Sequence, residues 1–448
     1  MRFDRRALGL AAAIVGWGGC GTSDDAGMNV ADDGVPPQLT AFVVVEETDA
    51  DSGMRFAYAE WSADEPVRAV VEYGSTITEL WRHTYSGSDA FAEAGRARLV
   101  AVEPNATYEY QVRMWDRGGN TRSQFVESAP TFTTGSVDEV PLFLLAMIDV
   151  GWGDALYLEA PDGTNVLIDA GHPKDGPRVR QFLDDHDVES LDFASLSHVH
   201  EDHVGGFYGD TFIGFNGLFV IHTANGDQPI PVGTFLDFED KTAVNGPYGD
   251  LAEAIAGHPS IAEHVFLRYG ASSASEPALR WGDGVRVDLL AAGRKPYLLP
   301  DFIYSAEPGS VENNDSMVYR VQYGDFVVLL TGDAEFATEQ FLQNHYPPPF
   351  LRATILKLGH HGSNDASSER FINVVSPRVG LITNAISENP GVQHPFVLNR
   401  LLNRAIDYYA SDRVEPNRAR ELSGVRGDVL VYSDGTDYSV IVENVRYE

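Results

Sequence analysis

The chain has 448 residues, enough for two or three domains at roughly 150 residues each, and its 43% hydrophobic content supplies packed cores and excludes a disordered chain. Against 66 Asp and Glu stand only 32 Lys and Arg, a net charge of −34 that repels phosphate backbones and anionic membranes and excludes a general nucleic-acid coat protein. The one cysteine, Cys20, excludes a disulfide framework and a cysteine-based zinc site alike.

At the N-terminus, Arg2, Arg5 and Arg6 precede an apolar run from Ala7 to Val15, too short to span a bilayer, and Gly18-Gly19-Cys20 ends it. Residues 1–19 therefore read as a secretory signal. A lone cysteine after small residues resembles a bacterial lipobox, which implies that Cys20 is lipidated and becomes the mature N-terminus; Trp17 stands where that motif usually has Leu. An ordinary signal cut nearby, leaving Cys20 free, is the alternative, and Arg5-Arg6 also fits twin-arginine export. Residues 20–37, rich in Gly, Asp, Ser and Pro, read as a flexible tether.

From 38 to 136 short alternating runs follow one another: Leu39 to Val45, Arg55 to Trp61, Arg68 to Tyr73 and Tyr108 to Met114. About seven such strands in about 100 residues predict an all-β sandwich. The stretch Leu99 to Val112, then Asp116 to Asn120 and Thr131 to Thr134, resembles a fibronectin type III domain, with Trp61 as its core tryptophan and Tyr108 as its corner tyrosine. That resemblance implies a spacer or binding module.

From 140 to 448 strands alternate with helices. Phe143–Val150, Ala155–Ala160 and Asn165–Asp169 read as a three-strand meander, Gly176–Asp185 as a helix, and Leu191–Ser197 as a strand. Further strands are predicted at Leu218–Ile221, Val285–Ala291, Met317–Gln322, Phe326–Leu330, Ile355–Leu358, Val379–Thr383, Val429–Tyr432 and Tyr438–Val442. Helices are predicted at Ala334–Gln343, Ser368–Val374 and Pro395–Tyr408, and the surroundings of Gly246-Pro247 and Glu276-Pro277 read as loops and insertions. This is an α/β region of two sheets flanked by helices.

The strongest chemical feature is Ser197-His198-Val199-His200-Glu201-Asp202-His203 at a predicted strand end. Two imidazoles two residues apart on an extended segment point together, and the following turn brings Asp202 and His203 to a neighbouring point. Imidazole with carboxylate suits zinc, manganese or iron(II) rather than calcium.

His-X-His-X-Asp-His after an apolar strand resembles the signature of the metallo-β-lactamase fold. Leu167-Ile168-Asp169-Ala170-Gly171, Leu330-Thr331-Gly332-Asp333 and Ile355-Leu356-Lys357-Leu358-Gly359-His360-His361-Gly362-Ser363 resemble its other motifs, in family order. The resemblance implies an αββα sandwich from about Phe143 to Glu448 with two divalent metal ions, zinc first and manganese or iron as alternatives. It implies metal ligands at His198, His200, Asp202, His203, Asp333 and His360, with Asp169 orienting the metal loop. His361 is assigned to metal or substrate. The third ligand of the first site is open between Asp315, in Asn313-Asn314-Asp315, and His222. His394, in Gln393-His394-Pro395-Phe396, is expected to contact phosphate or act as general acid. His83, His186, His258, His264 and His345 have no partner pattern and read as structural or surface residues.

Within that superfamily, Asp149-Val150-Gly151-Trp152-Gly153-Asp154-Ala155, Asn313 to Val318, the His-His-Gly-Ser run and Gly427-Asp428-Val429 resemble the hydrolase domain of ComEC-type DNA-uptake proteins; phosphorylcholine esterases are also similar. Trp152 departs from the pattern, standing where the ComEC group usually has Gln. The expected activity is metal-dependent phosphodiester hydrolysis, with Asp202 and His394 in the catalytic set. The net charge disfavours nucleic acid and favours a small or lipid-linked phosphodiester, while a lipid at Cys20 would hold the protein on the outer membrane, in the periplasm or at the cell surface. A secreted nuclease and a catalytically weak surface binding protein are the alternatives.

Overall fold

A computed structural model of the chain describes residues 34–447, apart from 51–52, 77–81, 86–90, 119, 125–129, 139, 211–214, 220–227, 240, 242–243, 294–310, 385–388, 390–391 and 412–424. Cys20 and His222 lie outside the described residues.

Two sheets face one another across the larger core. In the first, the strands run in the order Ile261–Leu267, Val232–Phe238, Leu191–Ser195, Asn165–Ile168, Leu156–Glu159, Phe143–Met147, Val425–Ser433 and Tyr438–Tyr447. The second runs Val285–Ala291, Val318–Tyr323, Phe326–Leu330, Ile355–Lys357, Val379–Ile382 and Asp407–Ala410. Strands such as Phe143–Met147 and Phe326–Leu330 are buried at every residue, as continuous apolar runs covered on both faces must be. The helices Phe336–His345, Glu369–Val375 and Pro395–Leu402 cover the outer face of the second sheet through Phe341, Leu342, Phe371, Ile372, Val397 and Leu401. This is the αββα sandwich of the metallo-β-lactamase fold.

Several elements differ from the sequence expectations. Leu218 and Phe219 form no strand; they are buried from a bend, with Phe219 stacked on Phe207 at 5.1 Å, so apolar side chains reach the core without a ladder. The region read as loops holds two parallel strands, Val232–Phe238 and Ile261–Leu267, and between them Gly246-Pro247 opens the helix Pro247–Ile255, proline being suited to a first helical turn. The last predicted helix stops at Leu402. Ala405 then takes a left-handed φ of 50°, and Asp407–Ala410 becomes the edge strand of the second sheet.

The preceding β-rich region is joined to the first sheet. Tyr438–Tyr447 pairs antiparallel with Arg82–Tyr85, which pairs in turn with Val70–Tyr73. The 20-residue strand Arg55–Gly74 serves two layers: its first half pairs with Leu39–Thr48 and Ala92–Arg98, its second with Arg82–Tyr85 and Thr107–Trp115. Trp61 is buried over Gly95, where a Cβ would lie 2.2 Å from the indole. Tyr108 Oη accepts the Glu103 N–H at 3.2 Å. The region therefore shares a continuous hydrogen-bonded sheet with the first sheet of the larger core.

Beside that seam lies a buried ion network. The Arg113 guanidinium donates to both oxygens of Asp407, at 3.0 and 2.7 Å, and to Glu72 Oε1 at 2.8 Å. Tyr85 Oη donates to Asp407 Oδ2 at 2.6 Å. Removing the cation alone leaves two carboxylates buried without it, so Arg113→Ala should cost about 3–5 kcal/mol of stability in urea denaturation. A loss below about 1 kcal/mol, the range of an exposed pair, would show that the seam lies outside the cooperative core.

Candidate metal centre

The site is built where strands of both sheets end. In the first sheet Leu191–Ser195 runs into Ser197 and His198; His200 is extended at the N-cap of the helix Glu201–Tyr208, so Asp202 and His203 sit in its first turn. The turn expected after the strand is thus the start of a helix. In the second sheet, Asp333 follows Phe326–Leu330 and His361 follows Ile355–Lys357, two parallel neighbours whose ends lie at one edge. His360 and His361 both take positive φ, 46° and 52°, a left-handed conformation uncommon for non-glycine residues.

Four ligand atoms converge. Asp333 Oδ2 lies 3.3 Å from His203 Nε2 and 3.3 Å from His361 Nε2. Asp202 Oδ2 lies 3.2 Å from His361 Nε2 and 3.8 Å from His203 Nε2. Atoms each 2.0–2.2 Å from a tetrahedral zinc would be about 3.3–3.6 Å apart; the two Asp333 contacts match that spacing, the Asp202–His361 contact is close to it, and the Asp202–His203 contact is wider. A second group adjoins it: His198 Nε2 is 3.9 Å from Asp333 Oδ2 and 3.0 Å from His200 Nδ1. His203 Nε2 is buried and makes no hydrogen bond among the described residues, as expected of a lone pair kept for a cation.

Behind the ligands stands a supporting layer. Asp169 Oδ2 receives His203 Nδ1 at 2.9 Å, and the Ser197 N–H donates to Asp169 Oδ1 at 2.6 Å. Asp154 Oδ1 lies 3.1 Å from His361 Nδ1, which also meets the Thr383 carbonyl at 3.0 Å. Each contact fixes the proton on Nδ1 and turns the Nε2 lone pair forward. Lys357 reaches in from the second sheet, its Nζ 2.6 Å from Asp154 Oδ2 and 3.4 Å from Asp333 Oδ1.

The electrostatics of this pocket follow from its charge count. Burial opposes ionisation of Asp333, yet His361, His203 and Lys357 overcome it and hold the carboxyl well below the usual range. For Asp202 burial is likewise overcome, first by His203 and then by His361. Burial also opposes charge on His203, and Asp333, Asp202, Asp154 and Asp169 reverse that, lifting the imidazole well above its ordinary value. His198 moves the other way: burial and then His203 keep it neutral. Such a pocket demands positive charge, supplied by protons on imidazole or by a divalent ion.

The structure distributes the sequence candidates unevenly. It brings His198, His200, Asp202, His203 and Asp333 together, with Asp169 behind them; His361, the candidate for metal or substrate, joins them, while His360 lies in a separate group with Glu335 and Asp365. His360 faces away, its Nδ1 2.9 Å from Asp365 Oδ1 and its Nε2 3.4 Å from Asn313 Nδ2. The partners decide this split, since Asp154 and Thr383 draw His361 while Asp365 draws His360. Asp315 is buried outside the ligand group, where its charge acts on Lys241. His394 caps the helix Pro395–Leu402, accepting the Phe396 N–H at 3.3 Å, while its backbone N–H donates to Gly362 O at 2.8 Å and so braces the histidine turn. Asp154, Lys357 and Thr383 were missed as site residues. The available signal was a lysine inside the otherwise apolar Ile355-Leu356-Lys357-Leu358. Trp152, on the loop carrying Asp154, packs edge-on against His172, ring centres 4.9 Å apart.

His361→Ala should therefore lower bound zinc or manganese in elemental analysis by about tenfold or more at limiting metal, whereas His360→Ala should stay near the parent. The reverse order would restore His360 as the ligand.

No protein-family model matches the chain. ComE operon protein 3 of Bacillus subtilis (strain 168) is 26% identical over 284 residues, covering 60% of this chain and 31% of that protein. Competence protein ComA of Neisseria gonorrhoeae is 30% identical over 159 residues, 35% of this chain and 20% of that one. The chain thus spans about a third or less of these relatives. A crystal structure of a diphosphatase from the PhnP family aligns over 51% of this chain and 72% of its own at 15% identity, with a TM-score of 0.29, too low to add to what the strand order shows. Strand order, ordered motifs and these relatives together support a metallo-β-lactamase fold with a ComEC-like relationship.

Proposed function

We propose that the protein is an exported, surface-anchored metal-dependent hydrolase of phosphodiester bonds, working with two divalent cations on a small or lipid-linked substrate. The observation that carries the reading is the convergence of His203, His361, Asp202 and Asp333, with His198 and His200 beside the shared Asp333. Divalent ions at such a site lower the pKa of water and neutralise charge on a phosphoryl oxygen.

The chain's own residues do the rest. Asp202, His203, Asp333 and His361 would hold one ion, and His198, His200 and Asp333 the other. Asp169 and Asp154 keep the imidazoles aimed. His360 lies beside this group, steadied by Asp365 at 2.9 Å. His394 supports the same turn through its backbone.

Charge decides the substrate class in this proposal. A polymeric nucleic acid drags many phosphates past a surface of net charge −34, whereas a small diester brings one charge to the cations. Similarity to proteins named for competence is the observation that favours a nuclease as second reading.

Purified protein with zinc or manganese should turn over a chromogenic phosphodiester with weak salt dependence and lose activity to a chelator. DNA cleavage should be slow at low ionic strength and improve as salt is added. Rapid DNA cleavage that falls steeply with salt would put the nuclease first, and no turnover of either substrate would remove the hydrolase reading. For the anchor, Cys20→Ser should move the protein from the membrane fraction to the soluble one. Unchanged fractionation would sink the lipoprotein assignment.

A further inference from the structure

Lys357 is fully buried in the strand Ile355–Lys357, and its ammonium has three donors to place. Two acceptors take it, Gly332 O at 2.7 Å and Asp333 Oδ1 at 3.4 Å, and Asp154 Oδ2 pairs with its charge at 2.6 Å. The Asp333 backbone is fixed as well, since its N–H donates to Ser316 Oγ at 3.1 Å and the preceding Gly332 takes a φ of 52°. A side chain at Gly332 would lie 2.9 Å from both Ser197 Cβ and Ser316 Oγ. Asp333 therefore stands with one oxygen toward the lysine and the other toward the imidazoles. Oδ2 alone is 3.3 Å from His203 Nε2, 3.3 Å from His361 Nε2 and 3.9 Å from His198 Nε2.

We infer that Lys357 is the positioning residue of the centre: it occupies Asp333 Oδ1 so that Oδ2 is the one oxygen shared by two cations, and it holds Asp154 behind His361 as an orienting carboxylate. The inference rests on the two-cation reading above. Asp154, His203, Asp333 and His361 are close enough to form a metal-binding group by themselves. The ammonium decides between the two uses of Asp154, because an oxygen 2.6 Å from a lysine is not offered to a second cation. Asp154 Oδ1 is committed too, to His361 and to the Thr383 hydroxyl. A bridge through one carboxylate oxygen keeps two ions close, whereas a freed Asp333 can turn both oxygens to a single ion.

The rival explanation is that Lys357 only neutralises Asp154. Lys357→Met alone strands two buried carboxylates and is expected to fold poorly. The decisive variant is therefore Lys357→Met with Asp154→Asn, which removes cation and anion together while the Asn oxygen can still accept from His361. Manganese serves as probe, with stoichiometry and affinity from calorimetry and ion–ion coupling from electron paramagnetic resonance. The parent should bind two ions with a coupled spectrum. The double variant should fold, keep one ion, bind the second about tenfold or more weakly, and lose the coupling. Two ions with parental affinity and coupling in the double variant would overturn the positioning role and leave charge balance. A parent that binds one uncoupled ion would instead overturn the two-cation reading, and the bridge with it.

Discussion

Four carboxylates, Asp154, Asp169, Asp202 and Asp333, are buried together in one pocket between two sheets. Leaving any of them ionised there requires compensation that desolvated surroundings cannot give. Each has a dedicated answer: Lys357 for Asp154 and one face of Asp333, His203 for Asp169, and His361 for Asp202. With those partners assigned, His203 Nε2 makes no hydrogen bond among the described residues, and it shares one small space with Asp333 Oδ2 and His361 Nε2. A divalent cation is the charge that such a remainder lacks.

How much of this was legible follows from where the information resides. His198, His200, Asp202 and His203 share one short segment, so a strand end and a helical first turn suffice to bring them together. Asp333 and His361 come from parallel strands, and their motifs were visible because buried strands read as apolar runs ended by polar residues. The choice between His360 and His361 was not legible, because adjacent residues share one local pattern and only Asp154, Thr383 and Asp365 distinguish them. Asp154 was hidden in the same way: a Gly-Asp pair is common turn chemistry until Lys357, 203 positions later in the chain, is known to meet it.

The β-rich region shows the same limit at larger scale. Alternation and turn residues were enough for the strands; Trp61 is buried and Tyr108 Oη accepts the Glu103 N–H. Its attachment could not be read. Pairing of Arg82–Tyr85 with Tyr438–Tyr447 joins segments some 350 residues apart, and an edge strand looks alike whether or not a partner covers it. Two edges that would each invite aggregation close on one another, which removes a liability from both.

The position of that closure separates its role from the chemistry. Phe326–Leu330, Ile355–Lys357, Val379–Ile382 and Asp407–Ala410 run parallel, and Asp333, His361 and Thr383 all follow C-terminal strand ends. Asp407, which receives Arg113 and Tyr85, lies at the opposite, N-terminal end of its strand. A four-residue strand spans roughly 10 Å, so the two charge networks stand at opposite ends of the second sheet. The β-rich region pairs with the first sheet through Arg82–Tyr85 and grips the second through Asp407. It therefore holds both halves of the sandwich, gripping the second sheet at the end away from Asp333, His361 and Thr383.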